Sequence, residues 1–313
     1  MMQRFSVVIP LYNKENHIVR TVNSVLSQSL MPFEVIIVND GSTDNSLNAV
    51  SEFKNVDRVK IISQMNLGVS AARNRGVDES VAKYIVFLDA DDEWLPWHLH
   101  ELDLLIRDFP DCGIYSVAHF IMQDGIKYYP DSGVDKKFRG FVNDVFELFG
   151  KGLALVNSST ACLSRDAFYR AGGFPVGITR GEDVYLWLKI AVSDGLGHSA
   201  RVCVQYNKDA ENRSDNKVNI EVPYYLKYLD AIQSNLTCKE NKSTAMLILL
   251  YKGIIYTAAG FRLAGSVEAI NALSALKVVN KSFFLQFLLF ILKVTPRWML
   301  CLLRKFRHSK AVN

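Results

Sequence analysis

Apolar residues in the first ninety positions come in short runs. Phe5–Ile9, Phe33–Val38, Val59–Ile62 and Tyr84–Leu88 are each four to six residues long and stop at proline or polar residues. Such runs predict buried strands. Between them the period changes. Ile18, Val22, Val25 and Leu26 recur at helical spacing. Leu47, Val50 and Phe53 mark a short helix, and residues 68–81 read as a helix with Val69, Ala72 and Val77 inward. Strands alternating with helices over short loops predict right-handed βαβ units and a parallel sheet. The alternation then breaks. Leu95, Leu99, Leu102, Ile106 and Phe109 space out an amphipathic helix, with Pro96 near its start. Ile114–Met122 and Ile126–Tyr129 flank Gln123-Asp124-Gly125, a hairpin signal. Strands without an intervening helix predict an antiparallel part, hence a mixed sheet. Ser159–Leu163 reads as another short strand. Ser164 caps a helix that Gly172 and Gly173 end. Residues 222–235, 245–263 and 266–279 predict a helical C-terminal region. The expected class is α/β.

Composition adds little until the C-terminus. Of 313 residues, 49% are hydrophobic and 22% charged, the balance of a folded globular protein. The five cysteines are scattered, with no CxxC pair, which suggests neither a zinc site nor a disulfide framework and fits a reducing compartment. No basic, apolar leader precedes the first strand, so no signal peptide is expected. After Glu268 no acidic residue occurs, while Lys277, Lys281, Lys293, Arg297, Arg304, Lys305, Arg307 and Lys310 give a tail of +8. Within it, Phe283–Leu292 would rise only about 15 Å as a helix, half the hydrocarbon thickness. Extension to Leu303 brings in Lys293, Pro296 and Arg297, and each central charge costs about 2.5–3.5 kcal/mol. A helix lying in the interface is expected, drawn to an anionic leaflet at about 1 kcal/mol per cation. The alternative is a core helix of a small C-terminal domain. No aromatic interleaving points to nucleic acid, and none is expected as a partner.

Candidate chemistry concentrates where the fourth run stops. Asp89, Asp91 and Asp92 follow it directly. In open α/β sheets, ligands bind outside the carboxyl ends of the strands. Crowded carboxylates raise one another's pKa, which a divalent cation relieves. Asp-x-Asp offers hard oxygen ligands suited to Mg2+ or Mn2+. A helix cap at Asp92 or Glu93 would explain one acid, not three. The first strand runs into Pro10-Leu11-Tyr12-Asn13-Lys14, without the glycines that let a backbone approach a dinucleotide pyrophosphate, and a Walker A loop is absent. Asp40 could still mimic a ribose-binding acid, which keeps an NAD(P)-dependent oxidoreductase as an alternative. Tyr12 presents a flat face to a base or ribose. Arg73 is a fork-shaped cation able to reach a base or diphosphate, or a solvated helix residue.

Pro10-x-Tyr12-Asn13, Asn39-Asp40-Gly41-Ser42-Thr43-Asp44, the stretch from Asn66 to Gly76, and Phe87-Leu88-Asp89-Ala90-Asp91-Asp92 together resemble family 2 glycosyltransferases of the GT-A fold, over roughly residues 4–210. The resemblance implies a nucleotide-binding half over 1–94, an acceptor-binding half over 95–215 and a helical region over 216–313. It implies that Pro10, Tyr12, Asn13, Asp40, Asn66, Gly68, Arg73 and Asp89 line the nucleotide, with Asp40 on the base and Asp89 near the ribose. It assigns Asp91 to the metal, with Asp92 as an extra ligand. Gly173-Phe174-Pro175 followed by Glu182-Asp183 matches the family arrangement that carries the catalytic base, so Asp183 is the base and Glu182 its alternate. By themselves, two acids at a helix start are explained by the dipole. Trp187 lines the acceptor pocket or packs in the core. Relatives often carry a histidine motif after the base. Residues 205–214 have none, which leaves Lys208 or Arg213 as diphosphate contacts, or a solvated loop. The Gln-x-x-Arg-Trp motif of processive synthases is also missing. The implied activity is inverting transfer of one sugar from a nucleotide diphospho-sugar, a UDP-sugar first, to a saccharide or lipid-linked acceptor. The place implied is the cytoplasmic face of a membrane, with cell-surface polysaccharide or glycolipid assembly as the setting. A non-catalytic nucleotide-sugar-binding scaffold is the alternative.

Overall fold

The computed structural model describes residues 5–150, 155–211, 221–235 and 244–300. Contacts divide the chain into two units, Met1–Ile178 with Glu182–Ser214, and Thr179–Gly181 with Asp215–Asn313.

In the first unit the four N-terminal runs become β1 (Phe5–Leu11), β2 (Glu34–Asp40), β3 (Val59–Gln64) and β4 (Tyr84–Phe87). All pair in parallel, with β1 between β2 and β4 and β3 beyond β2. The crossovers are α1 (Ile18–Leu26), α2 (Ser46–Ala49) running into a 3-10 turn, and α3 (Val69–Asp78). Strand alternation sorts side chains to two faces. Val7, Ile9 and Val86 pack with Ile18, Val22 and Val25 of α1, whereas Val8, Ile85 and Phe87 pack with Val77 of α3. Each such burial is worth about 1.5–3 kcal/mol. Burial on both faces explains why the runs are continuous rather than alternating. Helix α3 needs Gly76, because a Cβ there would stand 2.3 Å from Val8 Cγ1.

The second part of this unit comprises β5 (Glu93–Trp94), α4 (His98–Asp108), β6 (Ile114–Gln123), β7 (Ile126–Tyr128), β8 (Arg139–Phe141), α5 (Val145–Gly150), β9 (Ala161–Ser164), α6 (Arg165–Ala171), α7 (Glu182–Asp194) and β10 (Leu196–Asn207). The sheet runs β3-β2-β1-β4-β9-β6-β10-β5. It turns antiparallel at β9, which pairs with both β4 and β6, so the expected mixed sheet is present. The hairpin turn puts Asp124 (φ 52°) and Gly125 (φ 72°) in the left-handed region, as a two-residue turn of matching twist requires. Ser164 caps α6 by accepting from Ala167 N, and Gly172 (φ 85°) ends it. Two departures matter. Ser159 lies in a 3-10 turn (Ser158–Thr160) and not in a strand, because Asn157 and Thr160 form a reciprocal capping box. Strand β10 was not foreseen. Its pairing with β6 shifts register between Ser199 and Val204, which breaks the alternation that would have revealed it.

The second unit is helical, with α8 (Tyr224–Asn235), α9 (Thr244–Leu263), a 3-10 stretch (Glu268–Ala275), α10 (Lys277–Lys281) and α11 (Phe283–Val294). The single helix expected over 266–279 is thus split. Asp230 caps α10, accepting from Lys277 N at 2.9 Å and Val278 N at 2.8 Å. By length and composition the Met246–Leu263 stretch of α9 could cross a bilayer, yet nearly half of it is buried. Leu250, Ile254, Ala258 and Phe261 are fully covered, the mark of a core helix.

Candidate active site

Strand order reverses at β1 and β4, with β2 and β3 on one side and β9 and β6 on the other. The carboxyl ends at such a point form the binding crevice of open α/β sheets. Asp89, Asp91 and Asp92 follow β4 there, and each meets a different partner. Asp92 is fully buried. Its Oδ2 accepts from Ser159 Oγ at 2.5 Å and its Oδ1 from Asn207 N at 2.8 Å. Burial, then repulsion from Asp91 and Asp89, pushes its pKa well above the ordinary carboxylate value. With one hydrogen bond to each oxygen and no exposed surface, Asp92 braces β10 and the Ser159 turn against the strand tip. Asp91 Oδ2 pairs with Lys14 Nζ at 2.8 Å, and Asn207 Nδ2 donates to the Asp91 carbonyl at 3.2 Å.

Arg73 is the hub of the crevice. It is buried on α3, not solvated. Its Nη2 donates to Asp89 Oδ1 at 2.7 Å, and its Nη1 lies 3.8 Å from Glu182 Oε1 at the start of α7. The guanidinium also stands 5.2 Å from the centre of the Phe174 ring. Burial opposes its charge, but Asp89 foremost, then Glu182 and Asp183, raise its pKa overall. The next residue fixes the same corner. Asn74 Nδ2 donates to the Phe174 carbonyl at 2.8 Å, and its Oδ1 accepts from Phe174 N at 2.9 Å. Gly173 (φ 71°) makes room, its missing Cβ facing Asn74 Oδ1. Helix α3 thereby locks the Gly173-Phe174 segment beside the acidic strand tip.

Glu182 and Asp183 open α7. Burial raises the pKa of Asp183 and Arg73 offsets part of that rise; burial and then Asp183 raise that of Glu182. The acids from β4 and α7 therefore face one cation across one crevice. Raised carboxylate pKa values beside a specific charge partner mark a functional site.

The remaining nucleotide candidates gather at the β1, β2 and α3 ends. Tyr12 follows the buried Pro10 and is 42% exposed, free to stack. Asn13 adopts φ 50° and accepts from Thr43 N at 2.8 Å, tying the first loop to the second. Asp40 is buried. Its oxygens accept from Gln64 Nε2, Leu67 N and Gly68 N at 2.8–2.9 Å. A carboxylate offers about four acceptor sites, so Asp40 holds Gln64 and the exposed Asn66–Gly68 loop in place with three of them and keeps one for the expected base contact. Gly68 (φ 89°) precedes α3. Trp187 is fully buried against Phe174 and Phe87, a core residue with no place in an acceptor pocket. Lys208 is exposed, and Arg213 lies outside the described residues.

Residues 6–168 match the family described as Glycosyl transferase family 2. The chain belongs to that family. Similar proteins include an uncharacterized glycosyltransferase of Rickettsia bellii, 32% identical over 62% of this chain and 27% of its own length. The uncharacterized glycosyltransferase YibD of Escherichia coli K12 is 43% identical over 30% of this chain and 27% of its own. Chondroitin synthase of Escherichia coli is 28% identical over 76% of this chain and 34% of its own. The chain thus spans about a third or less of each of these relatives. Among solved structures, S. aureus TarS 1-349 in complex with UDP-GlcNAc superposes with a TM-score of 0.67 at 17% identity, over 91% of this chain and 87% of that one. That likeness establishes the GT-A fold.

In this family 2 glycosyltransferase the protein groups suit a shared cation better than a caged one. No cluster of three or more His, Cys, Asp or Glu side chains able to hold a metal occurs among the described residues. Asp91 supplies one mostly buried carboxylate at a point already compensated by positive charge. Mg2+ is commonly bound by one or two carboxylates together with substrate phosphates and water, and Asp91 fits that mode. A second groove of about 1140 Å3, with Phe5, Met31 and Arg58 among its walls, lies at the opposite, amino ends of β1–β3, away from these acids.

Lys14, Ser159, Asn74 and Asn207 escaped the sequence reading as site residues. Lys14 and Asn74 sat inside quoted motifs, where a cation following Tyr-Asn and an amide following the arginine were the available signals. Ser159 and Asn207 left none, since they join the site only through tertiary pairing.

Proposed function

We propose that this glycosyltransferase moves one sugar, with inversion, from a nucleotide diphospho-sugar to an acceptor hydroxyl. The observation that carries the reading is Arg73, which joins Asp89 at the tip of β4 to Glu182 at the start of α7. Donor and acceptor chemistry can then meet across a single crevice. The donor lies over the carboxyl ends of β1 and β4, its base against Tyr12 and its ribose near Asp89. Asp183 takes the proton from the acceptor hydroxyl as that oxygen attacks the anomeric carbon. Its raised pKa brings it toward working pH while Arg73 keeps it ionisable. A Mg2+ or Mn2+ held by Asp91 would supply positive charge for the departing diphosphate. A UDP-sugar is the favoured donor, supported by the TarS complexes with UDP-GlcNAc and UDP. A scaffold would have no use for a partly buried Glu-Asp pair, whose desolvation is costly. EDTA is expected to abolish transfer and added Mn2+ to restore it. Transfer undiminished by chelation would remove Asp91 from its role.

The acceptor fits a saccharide or lipid-linked chain at the cytoplasmic face of a membrane. Support comes from α11. Leu285 and Leu289 turn inward, while Phe283, Phe287, Phe290 and Val294 form an exposed stripe that continues to Trp298. Cations flank it and no acid follows. Deleting residues 282–313 should shift the protein from the membrane pellet to the supernatant. A full-length chain already soluble without detergent would contradict the anchor.

A further inference from the structure

We propose that Lys14 is an internal counter-cation for Asp91, which a divalent ion must displace, and that Lys14 thereby limits metal uptake by the nucleotide-free enzyme. The inference rests on Asp91 being the metal ligand, and its test separates the two.

The ammonium is placed, not swinging. Lys14 N donates to Ser46 Oγ at 2.8 Å, and its carbonyl accepts from His17 N and Ile18 N, both at 3.0 Å. At the other end, Nζ donates to Asp91 Oδ2 and to the Glu211 carbonyl. Glu211 is held in turn, its carboxylate 2.8 Å from His17 Nε2. The two paired side chains are 11% and 8% exposed, so solvent screens the pair only in part. The neighbouring acids do not compete for this cation: Asp89 pairs with Arg73, and Asp92 is braced by Ser159 and Asn207. A divalent ion at Asp91 would stand next to the ammonium, and two cations at that spacing repel. Metal must therefore move Lys14 aside, which also breaks its bond to Glu211. An enzyme so built takes up metal poorly alone and well when a diphosphate brings further negative charge.

The test is Mn2+ alone, titrated into the full-length chain and read from the electron paramagnetic resonance of free Mn2+. Lys14→Met keeps the apolar stem and removes the charge. It should bind Mn2+ at least about tenfold more tightly than wild type without nucleotide, a lower limit set by water-like screening of one unit charge at this distance. Lys14→Arg should remain at the wild-type level, and Asp91→Asn should bind weakly in every background. Equal Mn2+ affinity in wild type and Lys14→Met overturns the proposal, as does absence of Mn2+ binding in both when UDP restores it in both alike. Failure of Mn2+ to bind any variant even with UDP removes the metal reading of Asp91 itself, and the inference with it.

Discussion

Asp183→Asn is expected to abolish sugar transfer while leaving nucleotide binding nearly intact. The amide keeps the shape of the carboxylate but cannot accept the proton that the attacking hydroxyl must lose. General-base groups contribute about 10²–10⁴ in rate, so kcat should fall by roughly three orders of magnitude while the donor KM stays near wild type. The pH profile carries the same signature. Burial raises the pKa of Asp183 above its ordinary value of 3.8. The active, ionised form is therefore lost as pH falls through that raised value, and kcat/KM should show an acidic limb at higher pH than an ordinary aspartate would give. Glu182→Gln, one residue away, separates the pair. If it loses transfer and Asp183→Asn does not, the base is Glu182.

Arg73→Met should damage both stability and activity. The guanidinium is buried, pairs with Asp89 at 2.7 Å and faces Glu182 at 3.8 Å. Its removal strands partly buried acids around a buried site, and breaking a fully buried pair costs about 3–5 kcal/mol, an upper limit here because Asp89 is 31% exposed. For a unit of this size that corresponds to a Tm drop on the order of 10 °C. Activity should fall further than folding explains. Arg73 lowers the pKa of Asp183, so its loss pushes the acidic limb to higher pH. Arg73→Lys keeps charge but not the fork that reaches two acids, and should fall between the two. A variant with unchanged Tm and an unchanged limb would show that Arg73 does not couple these acids.

The parallel half of the fold was legible because both its faces are buried. Runs such as Val35–Val38 then need no subtle periodicity, and their ends mark the crevice. The acids at the tips of β2 and β4 were equally plain. What those acids do was less so. Three consecutive-looking candidates, Asp89, Asp91 and Asp92, part ways only in three dimensions, where Asp92 turns inward to Ser159 and Asn207. Asp40 was read as a ligand contact because its type and strand-end position suit one, yet the backbone of its neighbouring loop claims most of it. Trp187 illustrates the reverse: one turn past the acids it points into Phe87 and Phe174. Strand β10 was hidden by its register shifts, and with it went Asn207.

In the proposed reaction, one crevice serves both donor and acceptor. A crystal structure of the full chain with UDP and Mn2+ tests it most directly. The base should lie at Tyr12 and the diphosphate at Asp91, opposite the Arg73–Glu182–Asp183 corner. Nucleotide found instead in the groove at the amino ends of β1–β3, beside Met31 and Arg58, would contradict it.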